Sequence, residues 1–445
     1  MRVLGRELRR TPGTLMGALV AIWVLTLATF LLARADLTAA ADAATTIAGT
    51  AEPSVVNARQ IASSLTDMHA HVANAFLLGF QEHSDDWDIY AAERQVVANT
   101  LAVAAPSGAA PETVQTLQTL ARDFGLYQDR VARAADNQAQ NYPVGLAYFR
   151  EADALVTGSL LPAADGLARS NDAVLQQRAS IQVSGARVLV AASLLVLVLF
   201  ATQVYVALRM RRAFNVPLAL ATLLGVWLMA QASSTLDTAA RQLAAARTGP
   251  YASLLTLSQA RVMAYSANTD KSLWLLSQHD PSYQTAFDQS ALAMTNPRLT
   301  PQLSQAFQAG LSRPTPIAFN GLLATGLRNV TPDQRQVALQ AAAAWADYLN
   351  IDAQLRQLEL GGDHTGAVAL ATGGAAGQSN GALGQFDAAI GRLIDADQQQ
   401  FDRLLQQTED GLGGGLGAAT LLPILALGIA ALAWLGLQPR IAEYR

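Results

Sequence analysis

The sequence predicts an all-α membrane protein, with four transmembrane helices and two extracytoplasmic antiparallel helical bundles arranged as a tandem repeat. Three observations predict it. Residues 15–33, 188–208, 214–234 and 416–437 contain no Asp, Glu, Lys, Arg or His, and about 20 helical residues cross a ~30 Å hydrocarbon core. The polar segments between them carry apolar residues at seven-residue spacing, the pattern of helices packed side by side. Charged residues make up 14% of the 445, against about 25% in soluble proteins.

In chain order, residues 1–13 form a cytoplasmic N-terminus with four arginines, Arg9 and Arg10 closest to the membrane. Residues 14–34 are the first span, read as an uncleaved anchor because its apolar core exceeds the roughly 7–15 residues of a signal peptide. Residues 35–187 form the first outer bundle. Spans follow at 188–208 and 214–234, joined by a cytoplasmic loop, 209–213, with Arg209, Arg211 and Arg212. Residues 235–415 form the second bundle, 416–437 the fourth span and 438–445 a cytoplasmic tail. Arginines flank the spans on one side only, which places both termini in the cytoplasm and the chain in the plasma membrane. The cytoplasmic parts total 26 residues, too few for a catalytic domain.

In the first bundle the stripe Ile61, Leu65, Met68, Val72, Ala75 and Gly79 keeps a 3.5 period, as does Leu117, Leu120, Phe124, Tyr127, Val131 and Ala134. A third stripe runs from Phe149 through Val156, Leu160, Ala163, Leu167, Ser170 and Val174. The punctuation predicts helices over 36–80, 85–105, 111–141 and 143–186. Asp85 or Asp86 caps the second, Pro111 and Pro143 open the third and fourth, and Pro53 kinks or breaks the first near residue 52. In the second bundle Val337, Ala341, Ala344, Tyr348, Ile351 and Leu355 continue the pattern. Matches at offsets of 198–199, such as Phe76-Leu77-Leu78 with Trp274-Leu275-Leu276, point to an internal duplication.

Chemistry is sparse. With no Cys, disulfides, thiolate catalysis and cysteine-built metal sites are excluded. The net charge of −4 argues against a nucleic-acid partner. His69 and His71 are two apart, hence on different helix faces, whereas a metal pair needs i, i+4 spacing. No cofactor is expected. The basic residues are 29 Arg and one Lys, a skew attributed to codon usage. Aromatic and polar residues share the distal turns, a composition favoured at protein contacts. The candidate partner-binding tips are therefore Glu82, Asp86, Trp87, Tyr90 and Tyr142 in the first bundle, and His279, Tyr283, Asp363 and His364 in the second. Candidate cytoplasmic contacts are the arginines named above.

Two long helices emerging from spans with shorter helices between them resemble the periplasmic four-helix sensor domains of chemoreceptors. Leu360-Gly361-Gly362-Asp363-His364-Thr365-Gly366-Ala367, followed by Phe386 through Asp395, is similar to their third-to-fourth helix connection. The duplicated, four-span form looks like the GlnX-type actinobacterial membrane signalling proteins. That resemblance implies a non-enzymatic relay between an extracytoplasmic glutamate/aspartate-binding lipoprotein and a cytoplasmic serine/threonine kinase. No ligand-binding residue is carried over from it. The alternatives are a scaffold protein of the cell envelope and an accessory subunit of a transporter. Membrane lipid is the one obligatory partner, and the sequence leaves open a homodimer or internal pairing of the two bundles.

Overall fold

A computed structural model describes all residues except 1–10, 81–83, 105–110, 141, 180–185, 211–214, 299–318, 329, 414–417 and 443–445. The described chain is all-α, its one β feature an isolated bridge between Asn296 and Asn320. It divides into two compact units: Met1–Ala48 with Gln176–Ala246 and Asp402–Arg445, and Gly49–Leu175 with Arg247–Phe401.

In the first unit α1 (Thr11–Thr46) packs on α7 (Ala186–Met210) and α15 (Ala418–Ala442), and both of these pack on α8 (Val216–Ala246). Among the described residues four helices are long and apolar enough to cross a membrane, lying within Gly13–Leu77, Ala186–Leu208, Val216–Leu276 and Thr420–Ala442. Several hydroxyl side chains in the apolar stretches satisfy themselves on the preceding turn, as Thr26 Oγ1 does on the Ile22 carbonyl at 2.7 Å and Thr202 on that of Val198 at 2.7 Å, an acceptor that hydrocarbon cannot supply. Small residues allow close approach. Asn215 donates to the Gly436 carbonyl at 2.8 Å, and a Cβ at Gly436 would come within 3.0 Å of the Asn215 side-chain oxygen. Just outside the apolar stretches, Arg187 pairs with the buried Asp36 at 2.5 Å.

In the second unit α2 (Glu52–Leu77) and α9 (Ala252–Leu276) lie against each other. Around them are α3 (Asp85–Val103), α4 (Pro111–Ala139), α5 (Val144–Leu155), α6 (Leu161–Ala179), α10 (Pro281–Met294), α11 (Leu322–Gly326), α12 (Arg335–Leu360), α13 (His364–Thr372) and α14 (Ser379–Gly413). The first two stripes are buried from Ile61 to Ala75 and from Leu117 to Ala134, while Gly79 is exposed in the turn after α2. The third holds as far as Leu160 and then shifts. Ala164, Ala168 and Leu175 are buried one position beyond the expected Ala163, Leu167 and Val174; Leu167 is buried as well, while Ser170 and Val174 are exposed. The cause is a π-turn, Val156–Leu160, whose extra residue moves the apolar face by one position.

Two more π-turns, Ile47–Ala51 and Arg247–Tyr251, join α1 to α2 and α8 to α9. Pro53 therefore does not break its helix. Proline lacks an N–H and its ring crowds the carbonyl four residues back, and a widened turn relieves both. Each π-turn contains a glycine (Gly49, Gly158, Gly249) and lies at a proline (Pro53, Pro162, Pro250). The first and third are 200 residues apart. The turns after α2 and α9 also correspond: Phe80 and His279, both at positive φ, each donate their N–H to the carbonyl five residues back, at 2.8 and 3.0 Å.

Helix ends differ from expectation in two places. Ser84, not Asp85 or Asp86, is the N-cap of α3, its hydroxyl accepting from the Trp87 N–H at 3.4 Å, which leaves both aspartates free for other contacts. Pro143 sits at the cap of α5 rather than in its first turn.

Candidate functional site

Buried helices of a stable bundle are usually apolar, but the α2–α9 pair is not. α2 buries Ser63, Ser64, Thr66, Asp67, His69 and Asn74, and α9 buries Ser258, Asn268, Thr269, Lys271 and Ser272. Polar groups out of water must find partners, and these find them on the preceding turn of their own helix, as Thr66 and Ser258 do, across the α2–α9 seam, or on the helices packed around it. Ser272 donates to Asn74 Oδ1 at 3.0 Å, and Asn74 Nδ2 donates to Asn380 Oδ1 at 3.1 Å. Lys271, the chain's single lysine, is fully buried, its Nζ donating to Asn268 Oδ1 (2.7 Å), Ser379 Oγ (2.8 Å) and the Ala371 carbonyl (3.0 Å). Burial lowers its pKa to about 7, against the opposing pull of Asp352 and Asp86.

Two clefts flank this pair. The first, about 670 Å³, is walled by α2, α3, α9 and the α13–α14 connection, and its volume is that of a small-molecule site. His71 stands between two carboxylates, its Nδ1 2.7 Å from Asp86 and its Nε2 3.3 Å from Asp67. Burial alone would lower the imidazole pKa, but the two carboxylates outweigh it and raise it to about 9. At neutral pH His71 is therefore a cation.

The second cleft, about 360 Å³, is lined from α2, the α5–α6 turn, α9 and α10. There His69 lies 3.1 Å from Asp153 and 3.3 Å from the Tyr127 hydroxyl, and Asp270 lines the same wall. Burial, then the charge of Asp153, raises the Asp270 pKa to about 8. A carboxyl raised from 3.8 contributes stability that is complete below pH ~4 and lost as pH rises through ~8. Asp270→Asn should therefore leave the melting temperature unchanged near pH 4 and raise it at pH 8–9, as thermal unfolding at a series of pH values would show. At the 199-residue offset, Ser266 and Asp270 occupy the places of Asp67 and His71, so the two clefts are related in position and differ in charge.

The sequence-predicted tips fall in several environments. Asp86 is buried and lines the first cleft. Tyr90 is buried and stacks on the half-buried Trp87 at 4.8 Å, part of the first core. Tyr142 is 53% exposed. His279 and His364 meet on one carboxylate, each 2.9 Å from Glu359, and Asp363 caps α13. Tyr283 packs beside Trp274. Glu82, Arg9, Arg10, Arg211 and Arg212 lie outside the described residues, and Arg209 is in the last turn of α7. Sequence reasoning missed Asp67, His71, Asn268, Asn380 and Lys271. The i, i+4 spacing of Asp67 and His71 and the singular lysine were the available signals.

Residues 43–180 match the model of the actinobacterial sensor domain. The match covers about a third of the chain, from the end of α1 through α6. No curated protein and no solved structure matches the chain. The chain thus joins apolar helices of membrane-spanning length to a stretch similar to a sensor domain. Among the described residues no group of three His, Cys, Asp or Glu side chains could hold a metal ion.

Proposed function

We infer that the protein is a transmembrane sensor that passes a ligand-dependent state of its outer unit to a cytoplasmic partner. The observation that carries this reading is continuity. The two helices lining both clefts, α2 and α9, run without interruption into α1 and α8. A displacement of α2 against α9 is thereby transmitted along the chain, in the manner of the ~1–2 Å helix shifts that operate known switches. The sensor-domain match supports the same reading, as do the corresponding π-turns and terminal turns, which fit a tandem duplication in which the bundles pair within one chain. The GlnX-type relay is its finer form, with an extracytoplasmic amino-acid-binding lipoprotein at the exposed tips and a serine/threonine kinase at the arginine-flanked cytoplasmic ends.

The natural absence of cysteine makes a direct test practical. Gly384 lines the first cleft, and a Cβ there meets nothing within 4 Å, so Gly384→Trp would wedge the cleft with its fold intact. Spin labels at Met16→Cys and Val216→Cys, both exposed, in the full chain in lipid nanodiscs should change separation by about 1–2 Å when the wedge is added. An unchanged separation would sink the proposal.

A further inference from the structure

The turns after α2 and α9 share a backbone and differ in what closes them. In each, two consecutive residues stand at positive φ, Gly79 (77°) and Phe80 (48°) in one, Gln278 (57°) and His279 (73°) in the other. Side chains other than glycine seldom hold that conformation unless their surroundings fix it. Phe80 is fixed by apolar contact, its ring 5.3 Å from Phe76 and 5.3 Å from Trp87. His279 takes the place of Phe80 at the 199-residue offset. Its ring lies 4.6 Å from Trp274, and its Nε2 donates to Glu359 at 2.9 Å. His364 Nδ1 donates to the other oxygen of the same carboxylate, also at 2.9 Å. The Glu359 side chain is only 8% exposed. A carboxylate in the last turn of α12 is thus held between a histidine of the α9–α10 turn and one that opens α13. Burial would raise the pKa of Glu359, but the two imidazoles outweigh it and hold it below the ordinary carboxylate range.

We propose that His279, Glu359 and His364 form a proton-operated latch, which fixes the end of α9 remote from α8 in an acidic medium and releases it in an alkaline one. This deepens the sensor reading and rests on it, because α9 is a helix that runs into a span. Imidazole is the side chain that changes charge between pH ~5 and ~8. A protonated histidine meets the carboxylate as ion to ion, whereas a neutral one offers a single uncharged donor. The pairing is therefore strongest on the acid side of the imidazole titration and weakest above it. The other charged groups at this corner have partners of their own. Asp280 and Asp363 accept N–H groups at the starts of α10 and α13. Arg356 of α12 lies over Trp274 at 4.6 Å and pairs with Asp352 at 2.8 Å. Arg150 of α5 faces Asp280 and Tyr283 of α10, and α2 contributes the apolar Leu77.

The experiment is hydrogen exchange of the full chain in nanodiscs, read by mass spectrometry on the peptide spanning 277–283 and expressed as protection factors, which remove the intrinsic pH dependence of exchange. Opening of the turn frees the His279 N–H, bonded to the Trp274 carbonyl at 3.0 Å. Wild-type protection should fall roughly 3–10-fold between pH 6 and pH 8.5. Glu359→Gln should bring the value at pH 6 down to that at pH 8.5. His279→Phe, which rebuilds the apolar closure of the α2 turn, should keep protection high and equal at both. That variant retains His71 and Lys271, so its difference from wild type separates the latch from their titration. His364→Ala, at a position 61% exposed, should shrink the fall and removes nothing from the core. The latch is overturned if wild type and His279→Phe share one pH dependence, or if Glu359→Gln keeps that of wild type. The spin labels at Met16→Cys and Val216→Cys, followed through the same pH step, separate the two readings. Protection that falls while their distance stays fixed upholds the latch and counts against its transmission to the spans.

Discussion

Replacing Trp345 by alanine is expected to lower the stability of the second unit by about 3–5 kcal/mol, the range for deleting a buried large aromatic. Trp345 is fully buried, with its ring 5.1 Å from Tyr348 and 5.6 Å from Phe386. It thus joins α12 to α14 in the core of the second segment. Its Nε1 has no hydrogen-bond partner. Trp345→Phe should therefore cost much less, because it deletes the orphaned donor along with part of the ring and keeps the stacking. Thermal unfolding of the full chain would register the alanine variant as a loss of about 10 °C. A loss equal to that of the phenylalanine variant would show that the site does not hold these helices together.

The second large effect is pH-dependent. Removing one partner of a buried ion pair costs about 3–5 kcal/mol, and because the first cleft admits water the lower end, about 3 kcal/mol, is expected for His71→Ala. The folded-state pKa of about 9 exceeds the ordinary 6.5. The stabilisation is therefore complete below pH ~6.5 and lost as pH rises through ~9. Wild-type and variant should differ most near pH 6 and converge by pH 10. Lys271 titrates in the opposite sense. Its pKa is lowered to about 7, so its contribution grows between pH 7 and 10.5, and the wild-type profile alone would conceal the His71 term. Denaturant unfolding of both proteins across this range isolates it, and a pH-independent difference would refute the ion-pair assignment.

The helical class was legible because burial imposes a period on the sequence, so the stripes of α2 and α4 could be read residue by residue. Beyond Leu160 the third stripe held at Leu167 and misled at Ser170 and Val174. A π-turn adds a residue without altering composition, and only the recurring glycine and proline around it betray the shift. The cleft was largely illegible for a topological reason. Asp67 and His71 are separated by about 200 residues from Asn268 and by about 300 from Asn380, and nothing local brings them together. Asp86 could be singled out, but as an exposed tip. Once Ser84 takes the cap, Asp86 turns inward to His71 and becomes part of the cleft. Lys271 illustrates the opposite error. Its rarity reads as codon bias until the structure places it among three buried acceptors, which match the three donors of a compact ammonium and not the five of a planar guanidinium.

The central claim is that the outer clefts and the cytoplasmic ends report on one another. Its most direct test is photocrosslinking from position 209 in living cells that carry either the wild-type chain or Gly384→Trp. The account predicts capture of a cytoplasmic serine/threonine kinase, with a yield that differs between the two proteins. Capture of lipid alone, or equal kinase yield from both, would contradict it.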